Sequence, residues 1–137
     1  MTLLTLFTPA GVVPKAPPLR LAQRRLRALG FDAQLDHSAL ARSQRFGGDE
    51  DTRLAALHRV AEQAPSIAMA TRGGYGLTRL LDRVKWPLLA RSVAQGTRWV
   101  GHSDLTALQM ALWQHTGAGS WAGPMALDDF SRSEEAG

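Results

Sequence analysis

The chain has 137 residues, of which 45% are hydrophobic and 20% charged, so it is long enough to bury the core of one globular domain. It contains no cysteine, which excludes disulfides and thiolate metal sites. No apolar run approaches the roughly 18 residues of a membrane span, and the first residues lack the basic region of a signal peptide. We therefore expect neither a membrane segment nor a targeting leader.

The net charge is +4, and arginine supplies 14 of the 16 basic residues. A basic chain raises the hypothesis of nucleic-acid binding. The densest basic group falls on the polar side of one predicted helix: Arg20, Arg24, Arg25 and Arg27. A solvated helix face is the favoured interpretation and a phosphate-binding patch the alternative, because no aromatic residues interleave with these arginines as stacking platforms for bases. We expect no nucleic-acid partner.

Hydrophobic periodicity, with proline and glycine as breakers, predicts alternating strands and helices. In chain order these are a strand over 3–8, a helix from Pro17 to Leu29, a strand over 31–36, a helix from about 50 to 64, a strand over 66–71, a short helix over 78–82, a helix from Pro87 to 95, a strand over 97–100, a helix over 105–115 and a short strand within 119–127. The apolar stripe of the first helix is Leu19, Ala22, Leu26 and Leu29, and that of the second is Leu54, Leu57, Ala61 and Ala64.

This alternation is typical of a parallel sheet covered by helices. We predict an α/β fold, a three-layer flavodoxin-like domain with a mostly parallel sheet of about five strands and helices on both faces. The domain should span residues 1–130, and residues 131–137 should form a polar tail.

Three unusual loops each follow a predicted strand: "TPAG" at 8–11, "RGGYG" at 72–76 and "GHSD" at 101–104. In open parallel sheets, sites lie beyond the carboxyl ends of the strands. The three loops should therefore meet at one edge, and this convergence supports a site more strongly than any single loop.

The stretch "GHSD" has two interpretations. A serine directly before a helix is commonly an N-cap, because its oxygen accepts a backbone N–H. Alternatively, Ser103 is a nucleophile on a tight strand–turn–helix connection, with Gly101 giving the turn its room and the N–H of Asp104 serving as an oxyanion donor. Leu105 stands where the G-x-S-x-G pattern has its second glycine, so that pattern is incomplete.

The stretch "RGGYG" is also open to more than one interpretation. It is typical of a flexible strand–helix turn, and it could bind a phosphate at a helix N-terminus. Its backbone N–H groups could instead complete an oxyanion hole. Arg72 is a candidate partner for a substrate carboxylate, with a surface salt bridge as the alternative.

A serine nucleophile needs a base, and none of the four histidines is well placed. His102 is adjacent to Ser103, so its ring should point elsewhere. His115 lies 12 residues further on, about 18 Å along a helix. His58 should pack beside an apolar stripe, and no motif supports His37. No His or carboxylate spacing predicts a metal site.

Taken together, these motifs resemble the LD-carboxypeptidases, also called muramoyl-tetrapeptide carboxypeptidases. The resemblance rests on "TPAG", "RFGGDEDTRLAAL" at 45–57, "RGGYG", "GHSDLTAL" at 101–108 and "GPM" at 123–125, which follow the family's order. It implies a serine peptidase that removes the terminal D-alanine of murein tetrapeptides in cytoplasmic cell-wall recycling. It also implies a Ser-His-Glu triad and no metal or organic cofactor.

Carried over to this chain, the resemblance makes Ser103 the nucleophile and Asp104 and Gly74 the oxyanion donors. Arg72, Gly73 and Tyr75 are then candidates for substrate binding. The family's Glu and His come from a C-terminal domain that this chain does not contain, so we expect the chain alone to be inactive or very weak.

Two alternatives remain, together with an open question about partners. The chain could be a non-catalytic domain or pseudoenzyme that binds a peptide or a partner domain. A microcin-type immunity peptidase, from a related branch that cleaves a peptide-nucleotide antibiotic, is weaker. The partners implied are a murein peptide and the missing C-terminal domain, and a homo-oligomer is also open. Trp113 and Trp121 are candidates for an exposed apolar surface.

Overall fold

The protein, described here from a computed structural model, is built on one sheet in which every neighbouring pair of strands is parallel. The structure describes residues 2–44, 46–73, 77–101, 105–117, 119, 121–122, 125–126 and 131. Four strands have four to six residues and a two-residue strand adds an edge: β1 Thr2–Phe7, β2 Phe31–Leu35, β3 Ile67–Ala70, β4 Arg98–Gly101 and β5 Trp121–Ala122. The strand order β2-β1-β3-β4-β5 is that of flavodoxin-like folds, so the predicted fold class is confirmed.

The helices follow the predicted order, and each end lies within one residue of the predicted end. They are α1 Ala16–Ala28, α2 Glu50–Gln63, a 3₁₀ helix Thr78–Arg83, α3 Trp86–Ala94 and α4 Leu105–Thr116. Proline occupies the first turns of α1 and α3. At the start of α2, the Asp49 side chain accepts a hydrogen bond from the backbone N–H of Thr52 at 2.7 Å. Within the described ranges, no helix is long and apolar enough to cross a membrane.

Successive strand residues face opposite layers, so the sheet has a core on each side. Leu4 and Leu6 of β1 pack in one cluster with Leu19 and Leu26 of α1. Phe7, at the end of the same strand, belongs to the other cluster, where α2, α3 and α4 contribute their apolar residues. Helices therefore cover both faces of the sheet, as predicted.

Two details of the predicted apolar stripes are wrong. Leu29 is 65% exposed rather than buried, because α1 ends at Ala28 and Leu29 is its C-cap residue. Ala64 is only half-buried, since it ends α2 in a left-handed conformation with φ of 48°. In addition, the short helix over 78–83 is a 3₁₀ helix. Helix ends escape a periodicity argument because the residue after the last turn no longer follows the helical face.

The buried indole of Trp99 links β4 to α3. Its ring contacts Phe7 edge-on, with centroids 5.5 Å apart. Its Nε1–H donates to Ser92 Oγ at 3.0 Å, and the Ser92 hydroxyl donates to the carbonyl of Leu89 at 2.6 Å. Thr97, two residues before Trp99, buries a hydroxyl that has no hydrogen-bond partner among the described residues. These two buried hydroxyls therefore differ in whether their hydrogen-bonding capacity is satisfied.

This difference predicts opposite effects for two similar substitutions. Ser92→Ala should lower the free energy of unfolding by about 1–3 kcal/mol, because it leaves the Trp99 N–H unpaired in the core. Thr97→Val should be neutral or stabilising, since it removes a buried hydroxyl that gains nothing from its surroundings. Urea unfolding followed by tryptophan fluorescence measures both, and a larger loss for Thr97→Val than for Ser92→Ala would contradict this account.

Candidate functional site

The carboxyl ends of β1 and β3 form the best-defined part of the candidate site. These strands are neighbours, and Phe7 is paired in register with Ala70. The pairing continues past the strands, because the N–H of Thr71 donates to the carbonyl of Phe7 at 2.8 Å. The segments that follow, 8–11 and 71–73, are thus held side by side at the edge where flavodoxin-like folds place their ligands.

Two further hydrogen bonds fasten these segments to each other. The N–H of Gly11 donates to the carbonyl of Gly73 at 3.1 Å. Arg72 Nη1 donates to the carbonyl of Val12 at 3.2 Å. A Cβ on Gly11 would lie 2.6 Å from the Gly73 oxygen, so only glycine permits this approach. We call these two bonds the β1–β3 clamp, and it fixes the chain immediately before Gly74.

Thr8, the first residue after β1, links the β1–β3 clamp to neighbouring segments. Its buried hydroxyl donates to the carbonyl of Ala39 at 2.7 Å and contacts the Thr71 hydroxyl at 2.9 Å. Gly47 packs against Thr8 so closely that a Cβ on Gly47 would lie 2.2 Å from Thr8 Cγ2. The N–H of Gly47 donates to the carbonyl of Ala10 at 2.9 Å. The "TPAG" segment is therefore tied to the loop before α2 as well as to β3.

Arg53 of α2 completes the support and is only 1% exposed. Its Nη1 donates to the carbonyl of Pro9 and its Nε to the carbonyl of Gly48, both at 3.3 Å. The guanidinium also lies over the Phe46 ring, 4.8 Å from the centroid. A buried cation that bonds two loops at once makes their relative position costly to change. Sequence reasoning missed Arg53, since its bonding partners are backbone carbonyls that no motif reveals.

The predicted site residues divide into two groups. Arg72 and Gly73 are described, and both are half-buried parts of the β1–β3 clamp region. Ser103, Asp104, Gly74 and Tyr75 lie outside the described residues. The residues on either side of 102–104 are described, however: a Cβ on Gly101 would lie 2.3 Å from Leu105 Cδ2. The first residue of α4 therefore packs directly on the last residue of β4.

An ion pair between a buried carboxylate and a partly exposed arginine follows β2. Asp36 accepts two hydrogen bonds of 2.8 Å from Arg59 of α2, and it also accepts from the backbone and hydroxyl of Ser38. Burial raises the pKa of Asp36, but the hydrogen bonds from Arg59 and Ser38 and the guanidinium charge outweigh it, so the net pKa lies below the ordinary value. Asp36 is thus a carboxylate that anchors the loop after β2, a role that its sequence position did not indicate.

The described histidines are engaged away from the clamp or exposed. His58 Nε2 accepts a hydrogen bond from the N–H of Lys85 at 3.0 Å, and the His115 ring stacks on Trp86 with centroids 5.0 Å apart. His37 is exposed and lines a groove of about 480 Å³ between the turn after β2 and α2. Among the described residues, no group of three His, Asp or Glu side chains could hold a metal ion.

Comparison with known proteins assigns the family. Residues 4–123 match the model of the LD-carboxypeptidase N-terminal domain. The chain belongs to the LD-carboxypeptidase family. The resemblance predicted from the loop motifs is therefore confirmed.

Relatives of this LD-carboxypeptidase domain agree on fold and family. The crystal structure of a muramoyltetrapeptide carboxypeptidase from Oxalobacter formigenes is 35% identical, with a TM-score of 0.86 over 97% of this chain and 43% of that chain. A probable murein peptide carboxypeptidase of Bacillus subtilis is 28% identical over 124 residues, which is 87% of this chain and 38% of that protein. An MccF-like protein from Bacillus anthracis, 24% identical with a TM-score of 0.87, shares the fold. The chain therefore spans well under half the length of these relatives.

The β1–β3 clamp predicts the effect of adding one methyl group to this LD-carboxypeptidase domain. Gly11→Ala should destabilise it by about 1–3 kcal/mol, because the new Cβ meets a backbone oxygen that cannot move without shifting Gly73. Gly119→Ala is the matched control, since nothing lies within 4 Å of a Cβ there. Thermal unfolding measures both, and equal melting temperatures for the two variants would contradict the clamp.

His58 predicts a pH dependence of stability. Burial and the nearby Lys85 charge lower its pKa below the ordinary 6.5, against the opposing effect of Glu62. The unfolded chain therefore binds this proton more readily, so the stability it confers is present above about pH 6.5 and is lost as the pH falls through the folded pKa. The fall in melting temperature between pH 7.5 and 5.5 should be smaller in His58→Gln than in the parent, and identical slopes would contradict this role.

Proposed function

We propose that this chain is the nucleophile-bearing part of a serine LD-carboxypeptidase. In this proposal it acts in the cytoplasm and helps to release the terminal D-alanine of murein tetrapeptides during cell-wall recycling. The observation that carries the proposal is the match to the LD-carboxypeptidase N-terminal domain, together with the support given to the edge loops on which the family's motifs fall. Two relatives named for murein or muramoyl peptides favour the same substrate class.

Ser103 is the proposed nucleophile because of where its strand ends. β4 pairs with β3 and ends at Gly101, two residues before Ser103. Parallel neighbours end at the same edge, so the chain leaves β4 on the side where the β1–β3 clamp lies. The contact between Gly101 and Leu105 supports a tight connection between them, which is what a nucleophile turn needs.

The oxyanion donors are proposed to be the backbone N–H groups of Asp104 and Gly74. Backbone donors act only if the backbone is held in place before the reaction, since their benefit comes from preorganisation. The β1–β3 clamp holds residues 72 and 73, directly before Gly74. Arg72 already donates one hydrogen bond to Val12, so in this proposal its other donors face a substrate carboxylate, with Gly73 and Tyr75 beside it.

The base is proposed to come from outside this chain. His58 Nε2 accepts a hydrogen bond from the backbone N–H of Lys85, and the His115 ring stacks on Trp86. His37 follows the edge strand β2. The family resemblance supplies a Glu and a His from a C-terminal domain. The chain covers 43% of the Oxalobacter relative, which leaves room for such a domain in the family. We therefore expect the N-terminal part alone to bind the murein peptide but to hydrolyse it very slowly.

The test joins this chain to the part of the Oxalobacter formigenes relative that follows the matched region, and it measures D-alanine release from a murein tetrapeptide. The joined protein should be active, and Ser103→Ala should lower kcat by at least about 10³-fold with little change in KM, since a nucleophile acts in the transition state. The 137-residue chain alone should be at least as impaired as Ser103→Ala. Arg24→Ala, on the exposed face of α1, is the matched control and should be fully active.

Two results would contradict the proposal. Unchanged D-alanine release after Ser103→Ala in an active joined protein would exclude the nucleophile. A folded joined protein that binds the tetrapeptide in calorimetry without releasing D-alanine would favour the non-catalytic, peptide-binding alternative.

A further inference from the structure

The chain reverses direction between Ser43 and Phe46, in the connection from β2 to α2. The N–H of Ser43 donates to the carbonyl of Phe46 at 3.0 Å, and the N–H of Phe46 donates to the carbonyl of Ser43 at 2.9 Å. Gln44 lies between them with a φ of 55°. We call Ser43, Gln44 and Phe46 the edge turn. It lies beside the β1–β3 clamp, because Phe46 forms an antiparallel bridge with Gly11.

The backbone of Gln44 is in the left-handed region, which glycine adopts at least cost. The described residues with positive φ are four glycines and two others, Gln44 and Ala64. Hairpin turns that need a positive φ usually carry Gly, Asn or Asp, and a glutamine there is disfavoured. The turn would therefore form more easily with a glycine at position 44, so stability does not account for the glutamine.

The Gln44 side chain gains nothing from its own chain. It is exposed, and its amide has no hydrogen-bond partner among the described residues. Residues held in a disfavoured backbone conformation cluster at ligand-binding and active sites. Ala64, the other exception, ends α2 shortly before β3 begins, at the opposite edge of the sheet from the β1–β3 clamp. Only Gln44 thus combines this conformation with a place beside the candidate site.

The edge turn is fixed by its neighbours on two sides. The Arg53 guanidinium lies over the Phe46 ring, 4.8 Å from the centroid. The bridge to Gly11 holds the backbone of Phe46, and the N–H of Gly47 donates to the carbonyl of Ala10 at 2.9 Å. A side chain carried by a backbone that is already ordered binds a ligand with a smaller entropy cost.

The distance from β4 to the edge turn fits the length of a short peptide. In the sheet order β4 is two spacings from β1, and Phe46 lies one further pairing beyond Gly11. At about 4.8 Å per spacing, roughly 14 Å separates the end of β4 from the edge turn. An extended tetrapeptide spans at most about 13–14 Å. A tetrapeptide that is cut beside β4 and lies across the strand ends therefore brings its other end within reach of Gln44.

We propose that Gln44 is a specificity-determining residue that binds the first residue of the murein tetrapeptide, at the end remote from the released D-alanine. This inference rests on the proposed function, which supplies the substrate and the nucleophile Ser103. The Gln44 amide both donates and accepts, so it can pair with the N–H and carbonyl groups of a peptide. The contact is the same in the bound substrate and in the transition state, so its loss should raise KM and leave kcat unchanged.

Calorimetric titration of the 137-residue chain with a murein tetrapeptide, and with the tripeptide that lacks its first residue, tests the contact. Gln44→Ala removes the amide but keeps the Cβ. It should weaken binding of the tetrapeptide by about 3- to 10-fold, the range for one neutral hydrogen bond, and leave binding of the tripeptide unchanged. In the joined protein the same loss should appear as a KM about 3- to 10-fold higher for the tetrapeptide, with kcat unchanged.

Two glycine variants separate the side chain from the backbone. Gln44→Gly should weaken tetrapeptide binding as Gln44→Ala does, and it should also raise the melting temperature by about 2–4 °C because glycine fits this φ. Ala64→Gly is the matched control, since Ala64 has a similar φ of 48°. It should raise the melting temperature to a similar extent and bind both peptides like the parent.

The outcomes distinguish this inference from the proposed function. Equal affinity of the parent and Gln44→Ala chains for the tetrapeptide would overturn the inference, and so would an equal loss with the tripeptide. A parent chain and a joined protein that both fail to prefer the tetrapeptide would overturn it as well. None of these results concerns Ser103, because titration of the 137-residue chain measures binding and not hydrolysis. Unchanged D-alanine release after Ser103→Ala would contradict the proposed nucleophile, and the titration would still measure the Gln44 contact.

Discussion

The hydrogen bond from Gly11 to Gly73 joins the two loops on which the candidate site depends. It forms where β1 and β3 lie side by side at the reversal of strand order, the place where α/β sheets open a crevice. The bond requires that Gly11 have no Cβ. A single small residue therefore sets the distance between the end of the first strand and the glycine-rich loop.

The clamp is reinforced from below by groups that do not themselves face the site. Thr8 ties the first loop to Ala39 and Thr71, and Arg53 ties it to Gly48. A buried guanidinium is stable only with its donors satisfied, so separating the loops would leave N–H groups of Arg53 unpaired, which is costly. The same physical requirement that stabilises Arg53 thus holds the edge loops in position. Preorganised backbone is what an oxyanion site of the proposed kind would need.

The fold was predictable from the sequence because local patterns determine it. Buried strands such as Ile67–Ala70 are short apolar runs between breakers. Pro17 in the first turn of α1 and the N-cap Asp49 of α2 indicate where those helices begin. The support of the site was not predictable in the same way. Arg53 bonds a carbonyl 44 residues away, and Asp36 meets Arg59 across a strand–helix contact. Such partners depend on the completed tertiary structure, and a single sequence shows only that the residues are charged.

The family's motif residues and the supporting residues constrain function differently. The sheet and helices alone do not select a substrate, because one fold can carry many functions. In the proposed enzyme, substrate selection falls to the edge loops. In the proposed enzyme a serine on this edge stays a weak nucleophile until a base reaches it. In that enzyme Arg53, Thr8 and Gly11 would hold the edge loops in place before the reaction, so that backbone N–H groups could stabilise the developing negative charge. In this proposal the N-terminal part supplies a rigid backbone at the edge loops, and the base that completes the reaction comes from outside this chain.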